Sequence, residues 1–192
     1  MKTVLYVEDN FADRELMIRV INQAKPRFEL RLQDDYSKIL DYLRNRGLFD
    51  NPRYFPPPDL VLLDYSVGNF KGTELLSWIR TKSERQTLPV VMFSGRTEEQ
   101  IVAECYAMGA NYFIAKSPQT TQRLRLVNSL DVCLQTMPPH VENLAELATS
   151  PTLSRWPLRR EAREYPTECA PSVLTVMDAE EQRRSAFPCA VK

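Results

Sequence analysis

Leu60-Val61-Leu62-Leu63 runs without interruption into Asp64, just after the cluster Pro56-Pro57-Pro58. A short unbroken apolar run bounded by turn signals reads as a strand buried on both faces. Strands of that kind belong to parallel sheets covered by helices on each side. In an open parallel sheet, ligands sit beyond the carboxyl ends of the strands, so Asp64 is expected at the mouth of the sheet. An isolated aspartate after a strand is more simply a turn residue. Asp64 is not isolated.

Along the chain, strand and helix patterns alternate five times. Thr3–Val7 reads as a strand ending in Glu8-Asp9-Asn10, with Asn10 as the N-cap of a helix carrying Leu16, Met17, Val20, Ile21 and Ala24. Asp13 falls in its first turn, where the helix dipole favours an acid. Pro26 ends that helix. Glu29-Leu30-Arg31-Leu32-Gln33 alternates strictly, as an edge strand does, and Ser37 is the expected cap of a second helix through Ile39, Leu40 and Leu43. A proline-rich connection from Phe49 to Asp59 leads to the central strand. After Asp64 come a loop with Gly68 and Gly72 and a helix through Leu75, Leu76 and Ile79. Val90–Phe93 is a fourth strand ending in Ser94-Gly95, and a helix expected from Thr97 carries Ile101, Val102, Cys105 and Met108 before Gly109. Tyr112–Ala115 is a fifth strand ending in Lys116, followed by a helix over about Gln119–Leu134. This order predicts a flavodoxin-like, doubly wound α/β fold with a five-stranded parallel sheet of order 2-1-3-4-5 and helices on both faces.

Several function classes are excluded on composition. The formal net charge is zero, which gives no electrostatic draw toward nucleic acid or an anionic membrane. The single histidine, His140, argues against His-rich metal sites and histidine triads, and the four scattered cysteines show no zinc or disulfide spacing. No apolar run approaches a membrane span and no signal peptide is visible, so a cytoplasmic location is expected.

Glu8 and Asp9, Asp64, Ser94 and Lys116 each follow a different strand and converge on one crevice in such a sheet. Three carboxylates placed together need a cation, and hard oxygen ligands suit Mg²⁺. A hydroxyl and an ammonium opposite them suit a phosphoryl group, and a carboxylate nucleophile is the matching chemistry.

These residues carry a resemblance to the receiver domain of two-component response regulators over about residues 2 to 135. It rests on Val7-Glu8-Asp9-Asn10, Leu63-Asp64, Gly72, Ser94-Gly95, Gly109-Ala110 and Lys116, all in family order. The resemblance implies that Asp64 accepts a phosphoryl group from a histidine kinase. It also implies that Glu8, Asp9, Asp64 and the Ser66 backbone carbonyl hold Mg²⁺, that Ser94 and Lys116 contact the phosphoryl oxygens, and that Phe113 occupies the aromatic switch position. The Asn51–Pro58 insert and the lack of a recognised effector domain resemble the subgroup that partners bacterial phytochromes. The output surface is then the face formed by the fourth helix, fifth strand and last helix. Leu126 and Val132 fall off the Leu124-Val127-Leu134 line of that helix, which argues for a homodimer there.

The pattern departs from the family in three places: Ser117 separates Lys116 from Pro118, Gly68 stands where proline is common, and Lys71 where an acid is frequent. A receiver-fold scaffold without phosphorylation is one alternative. A haloacid-dehalogenase-like phosphatase is the enzyme alternative, but it needs a second aspartate where this chain has Ser66. A signalling phosphoacceptor rather than an enzyme is therefore expected. The domain is expected to span residues 1–137. Residues 138–192 read as an extension with short helix-like pieces at Leu158–Tyr165 and Asp178–Ala186 and without sustained apolar periodicity.

Overall fold

The computed structural model describes residues 1–135. The expectations about the domain boundary near 137, His140 and the helix-like pieces of the extension lie outside the described residues.

Seven strands and five α-helices occur in this stretch: β1 (Lys2–Val7), α1 (Phe11–Ala24), β2 (Phe28–Gln33), α2 (Tyr36–Arg44), β3 (Leu60–Leu63), β4 (Ser66–Val67), β5 (Phe70–Lys71), α3 (Gly72–Thr81), β6 (Val90–Ser94), α4 (Glu99–Ala107), β7 (Tyr112–Ala115) and α5 (Thr120–Gln135). Five of the strands form one parallel sheet in the order β2-β1-β3-β6-β7, which is the expected 2-1-3-4-5 once the small β4–β5 hairpin is counted separately. That hairpin was not foreseen. Its two-residue strands are too short to show periodicity.

The period-2 alternation of the strands divides the core in two. Leu5, Val7, Val61, Leu63, Val90, Met92 and Phe113 point to one face, where α2, α3 and α4 pack through Ile39, Leu43, Leu75, Leu76, Ile79, Val102 and Cys105. Val4, Tyr6, Leu60, Leu62, Val91, Phe93 and Ile114 point to the other, under α1 and α5 through Met17, Val20, Val127, Leu130 and Leu134. Every residue of β3 is fully buried, as its unbroken apolar run requires. Each such Leu or Val side chain contributes roughly 2 kcal/mol of transfer free energy.

Helix starts follow the short polar side chains. Asn10 caps α1, its side chain accepting from the Asp13 amide at 3.1 Å. The chain leaves α1 through Lys25 in the left-handed region (φ 48°), and Pro26 prevents continuation. The cap of α2 is Asp35 and not Ser37: the Asp35 carboxylate accepts from the Lys38 amide at 3.0 Å. Ser37 lies inside the first turn and its hydroxyl donates to Asp35 instead. Likewise α4 begins at Glu99, two residues beyond Thr97.

The expectation for α5 also needs correction. Leu126 is buried against the same cluster as Phe93 and Ile114, whereas Val132 is 53 % exposed. α5 covers β6 and β7 on one side and meets α1 on the other, so its buried stripe is wider than a single line of residues.

The proline-rich connection is anchored by aromatic packing. Phe49 and Phe55 meet edge-on at 5.1 Å between centroids, both pack on Tyr42, and the Tyr42 hydroxyl donates to the Pro56 carbonyl at 2.7 Å. At the amino ends of β6 and β7, the buried Arg80 of α3 donates to the carbonyls of Gln86, Leu88 and Gly109 and to Asn111 Oδ1, at 2.8–3.0 Å. Asn111 Oδ1 also accepts from the Val90 amide, so one guanidinium orders the entry to two strands.

Candidate functional site

At the carboxyl ends of the same strands the polar residues converge. The β1–β2 ladder continues through the Glu8 amide, which donates to the Gln33 carbonyl at 3.0 Å. The Glu8 side chain is thereby turned inward and is fully buried. One of its oxygens accepts from the Asn10 amide at 3.0 Å. The other accepts from the Tyr6 hydroxyl at 2.9 Å and lies 2.5 Å from Lys116 Nζ. Asp9 points outward, and its Oδ2 accepts from the Gly68 amide at 2.8 Å.

That last bond explains one of the departures noted in the sequence. Gly68 adopts φ +56° at the first turn position of the β4–β5 hairpin and donates its N–H to Asp9. A proline has neither the dihedral nor the donor.

Asp64 continues the β1–β3 ladder, its amide donating to the Val7 carbonyl at 3.1 Å. Its Oδ1 accepts from the Tyr65 amide at 2.6 Å, and its Oδ2 lies 2.7 Å from Lys116 Nζ. Gly72 passes directly beneath: its amide donates to the Tyr65 carbonyl, and an added Cβ would lie 2.1 Å from the Asp64 carbonyl oxygen. Only glycine fits there without moving the backbone that carries Asp64.

Oxygens of Glu8, Asp9 and Asp64 lie within 4.8 Å of one another. Lys116 Nζ touches Glu8, Asp64 and also Asp13, the last at 3.0 Å. Asp13 in turn holds Arg123 of α5. With every carboxylate ionised, four acids (Glu8, Asp9, Asp13, Asp64) face two cations (Lys116, Arg123), and two negative charges remain. The cluster therefore fits a divalent cation bound through oxygen.

The protonation equilibria reflect this crowding. Burial pushes the Glu8 carboxyl above the usual carboxylate range, against the pull of Lys116. Burial alone would lower the Lys116 ammonium, but hydrogen bonds and charge from Asp64 and Glu8 outweigh it and hold it above the ordinary lysine value. Asp13 is likewise opposed by burial, yet Lys116 and Arg123 hold it below the usual range. The Tyr6 phenol is raised by burial and by Glu8, so it stays a donor.

Ser94 and Phe113 stand near this centre in different ways. Ser94 is buried at the end of β6; its carbonyl accepts from the Lys116 amide at 2.8 Å and its hydroxyl accepts from the Arg96 amide at 3.3 Å. Phe113 is 1 % exposed in the core beneath α4, and its amide donates to the Tyr106 hydroxyl at 3.1 Å. Ser66 lies in the exposed arm of the hairpin, opposite Lys71.

Two networks escaped sequence reasoning. Asp13 and Arg123 join α1 to α5 across the Lys116 loop. Tyr65, next to Asp64, donates through its hydroxyl to Glu104 of α4 at 2.9 Å, and Thr73 donates to the other Glu104 oxygen at 3.2 Å. Asp13 was visible only as a first-turn acid. The other partners are far apart in sequence and carry no local pattern.

The model of the response regulator receiver domain matches residues 4–128. The chain belongs to the response regulator receiver family. This receiver is 27 % identical to the response regulator Rcp1 of Synechocystis over 130 residues, which are 68 % of this chain and 86 % of Rcp1. The Mn²⁺-bound crystal form of Rcp1 superposes with a TM-score of 0.59 at 26 % identity, covering 68 % of this chain and 92 % of that one. The response regulator RPA3017, from red-light signalling of R. palustris, gives 0.63 at 26 % identity over 68 % of this chain and 91 % of its own. The phosphorylated cyanobacterial phytochrome response regulator RcpA gives 0.62 at 27 % identity, over 71 % and 95 %. This chain is thus a receiver of two-component phosphorelay signalling, and its acidic cluster is of the divalent-metal type that receivers carry. Among the described residues no helix is long and apolar enough to cross a membrane.

Proposed function

We propose that Asp64 is the phosphoacceptor and takes a phosphoryl group from a sensor histidine kinase. The observation that carries this reading is the placement of Asp64: a carboxylate 8 % exposed at the mouth of the sheet, between an acidic cluster and Lys116 Nζ. A carboxylate oxygen attacks phosphorus, the P–N bond to the kinase histidine breaks, and the imidazole nitrogen leaves with the electron pair. Glu8, Asp9, Asp64 and the Ser66 carbonyl would hold Mg²⁺, and the ion would supply positive charge to offset that of the phosphoryl oxygens. Lys116 neutralises a second side of the group, and Ser94 turns its hydroxyl from the Arg96 amide toward it. The void Ser94 leaves is filled by movement of Phe113, so that the phosphorylated form shifts the population of the α4–β7–α5 face.

The kinase is of the phytochrome type in this reading, supported by likeness to RcpA and by RPA3017 from red-light signalling. The receiver domain spans 1–137 with an extension over 138–192, works in the cytoplasm and has no turnover chemistry beyond its own phosphorylation and dephosphorylation. A homodimer across the α4–β7–α5 face rests on Val132 alone, because Leu126 is buried within the monomer. Sedimentation with and without beryllofluoride decides it: dimers in the loaded sample support the face, monomers in both remove it.

Incubation of the full chain with Mg²⁺ and a small phosphodonor, followed by intact mass, tests the main reading. Wild type is expected to gain one phosphoryl group and Asp64→Asn none. Equal uptake by the variant would overturn the assignment.

A further inference from the structure

Lys116 is held from a side that the metal cluster does not occupy. Its Nζ lies 3.0 Å from Asp13 Oδ2, and the other Asp13 oxygen is bound by Arg123 Nη2. Arg123 is 3 % exposed although charged, and every part of it is engaged: Nε donates to the Ser117 carbonyl at 2.9 Å, Nη1 to the Asp13 carbonyl at 3.4 Å, and its Cζ lies 5.4 Å from the centroid of the Phe93 ring. Ser117 is the residue between Lys116 and Pro118. The same guanidinium therefore grips the loop that carries the lysine and the carboxylate that faces it.

We propose that Asp13 and Arg123 are positioning residues for Lys116, aiming its ammonium at Asp64 through a bridge from α1 to α5. A long flexible lysine has many rotamers, and three carboxylates compete for it. Asp13 selects the rotamer that reaches Asp64 Oδ2, and the planar fork of Arg123 fixes Asp13 in the plane where it can do so. α5 is tied by this bridge to the reacting centre. The inference rests on the reading of Asp64 as phosphoacceptor, so the test has one arm that does not use phosphorylation.

The first arm is NMR of the full chain with ¹³C-labelled lysine, the Lys116 methylene signals being assigned by their loss in Lys116→Met. In wild type these signals stand apart from those of exposed lysines. Asp13→Asn and Arg123→Met, the latter keeping an unbranched chain over Phe93, move them toward the exposed set. The second arm is phosphoryl uptake over a range of phosphodonor concentration with Mg²⁺. Both variants lose about tenfold in maximal rate with the half-saturating donor concentration unchanged, and the double variant loses no more than the worse single one. Unmoved Lys116 signals, wild-type uptake, or losses that multiply in the double variant each overturn the positioning role. Signals that move while wild type takes up no phosphate support the bridge and sink the phosphoacceptor reading. Unmoved signals with normal uptake do the reverse.

Discussion

Two cations lie within the ends of one sheet, Arg80 at the amino ends of its strands and Lys116 at the carboxyl ends. Arg80 donates to three backbone carbonyls and one amide oxygen at the entry to β6 and β7. Lys116 donates to three side-chain carboxylates, two of which, Glu8 and Asp64, belong to the acidic cluster that is able to take another cation. A guanidinium satisfied by backbone is a staple. An ammonium held among acids is one member of an exchangeable set, and removing it leaves a charge imbalance that a metal ion is able to correct.

The largest effect expected from this contrast is at the staple. Arg80→Met leaves the Gln86, Leu88 and Gly109 carbonyls without this donor and costs about 3 kcal/mol, read by urea unfolding. Mg²⁺ does not restore the loss, and the folded fraction still takes phosphate at Asp64. A cost below about 1 kcal/mol would show that the cluster is decoration.

At the other end, Lys116→Met leaves Glu8 and Asp64 facing each other without the ammonium. It is expected to lower the melting temperature in metal-free buffer, and millimolar Mg²⁺ is expected to raise the variant's melting temperature by more than it raises wild type's. Equal metal-induced shifts in the two proteins would break the exchange argument.

A smaller effect concerns Asp13, whose carboxyl is held below the usual range in the folded state by Lys116 and Arg123 against burial. A depressed acid contributes stability above its unfolded value of about 3.9, and that contribution fades as pH falls through the lower folded value. The gap in melting temperature between wild type and Asp13→Asn is therefore expected at pH 7 and at pH 5, and closes in more acidic buffer. A gap that widens as pH falls contradicts the charge pairing.

Features that act locally were legible in the chain. The Leu60–Leu63 run and the Asn10 cap each place a residue by the chemistry of its neighbours, and the structure has them as read; in β2, Leu30 and Leu32 join Phe28 against one core face, though Glu29–Gln33 are all half-buried. Gly72 was visible as a motif residue, but the contact that requires it, an approach of 2.1 Å from its Cβ position to the Asp64 carbonyl, is tertiary. Ser37 was misread because two short polar residues compete for one helix start and the carboxylate of Asp35, placed just before the first turn, is the acceptor in reach. Leu126 was misread because helical spacing gives a direction but not the width of the surface that a helix meets. Asp13 and Arg123 are joined only by the fold, and no spacing announces such a pair.

The central claim, that the carboxyl-end cluster exists to phosphorylate Asp64, is tested most directly by locating the phosphate. The full chain is treated with Mg²⁺ and a phosphodonor, the acyl phosphate is reduced with borohydride, and the digested peptides are sequenced by mass spectrometry. Reduction turns a phosphorylated aspartate into homoserine, so the modified position reads directly. Homoserine at position 64, and at no other aspartate, is the predicted result; homoserine at Asp9 or Asp13 with Asp64 intact would contradict it.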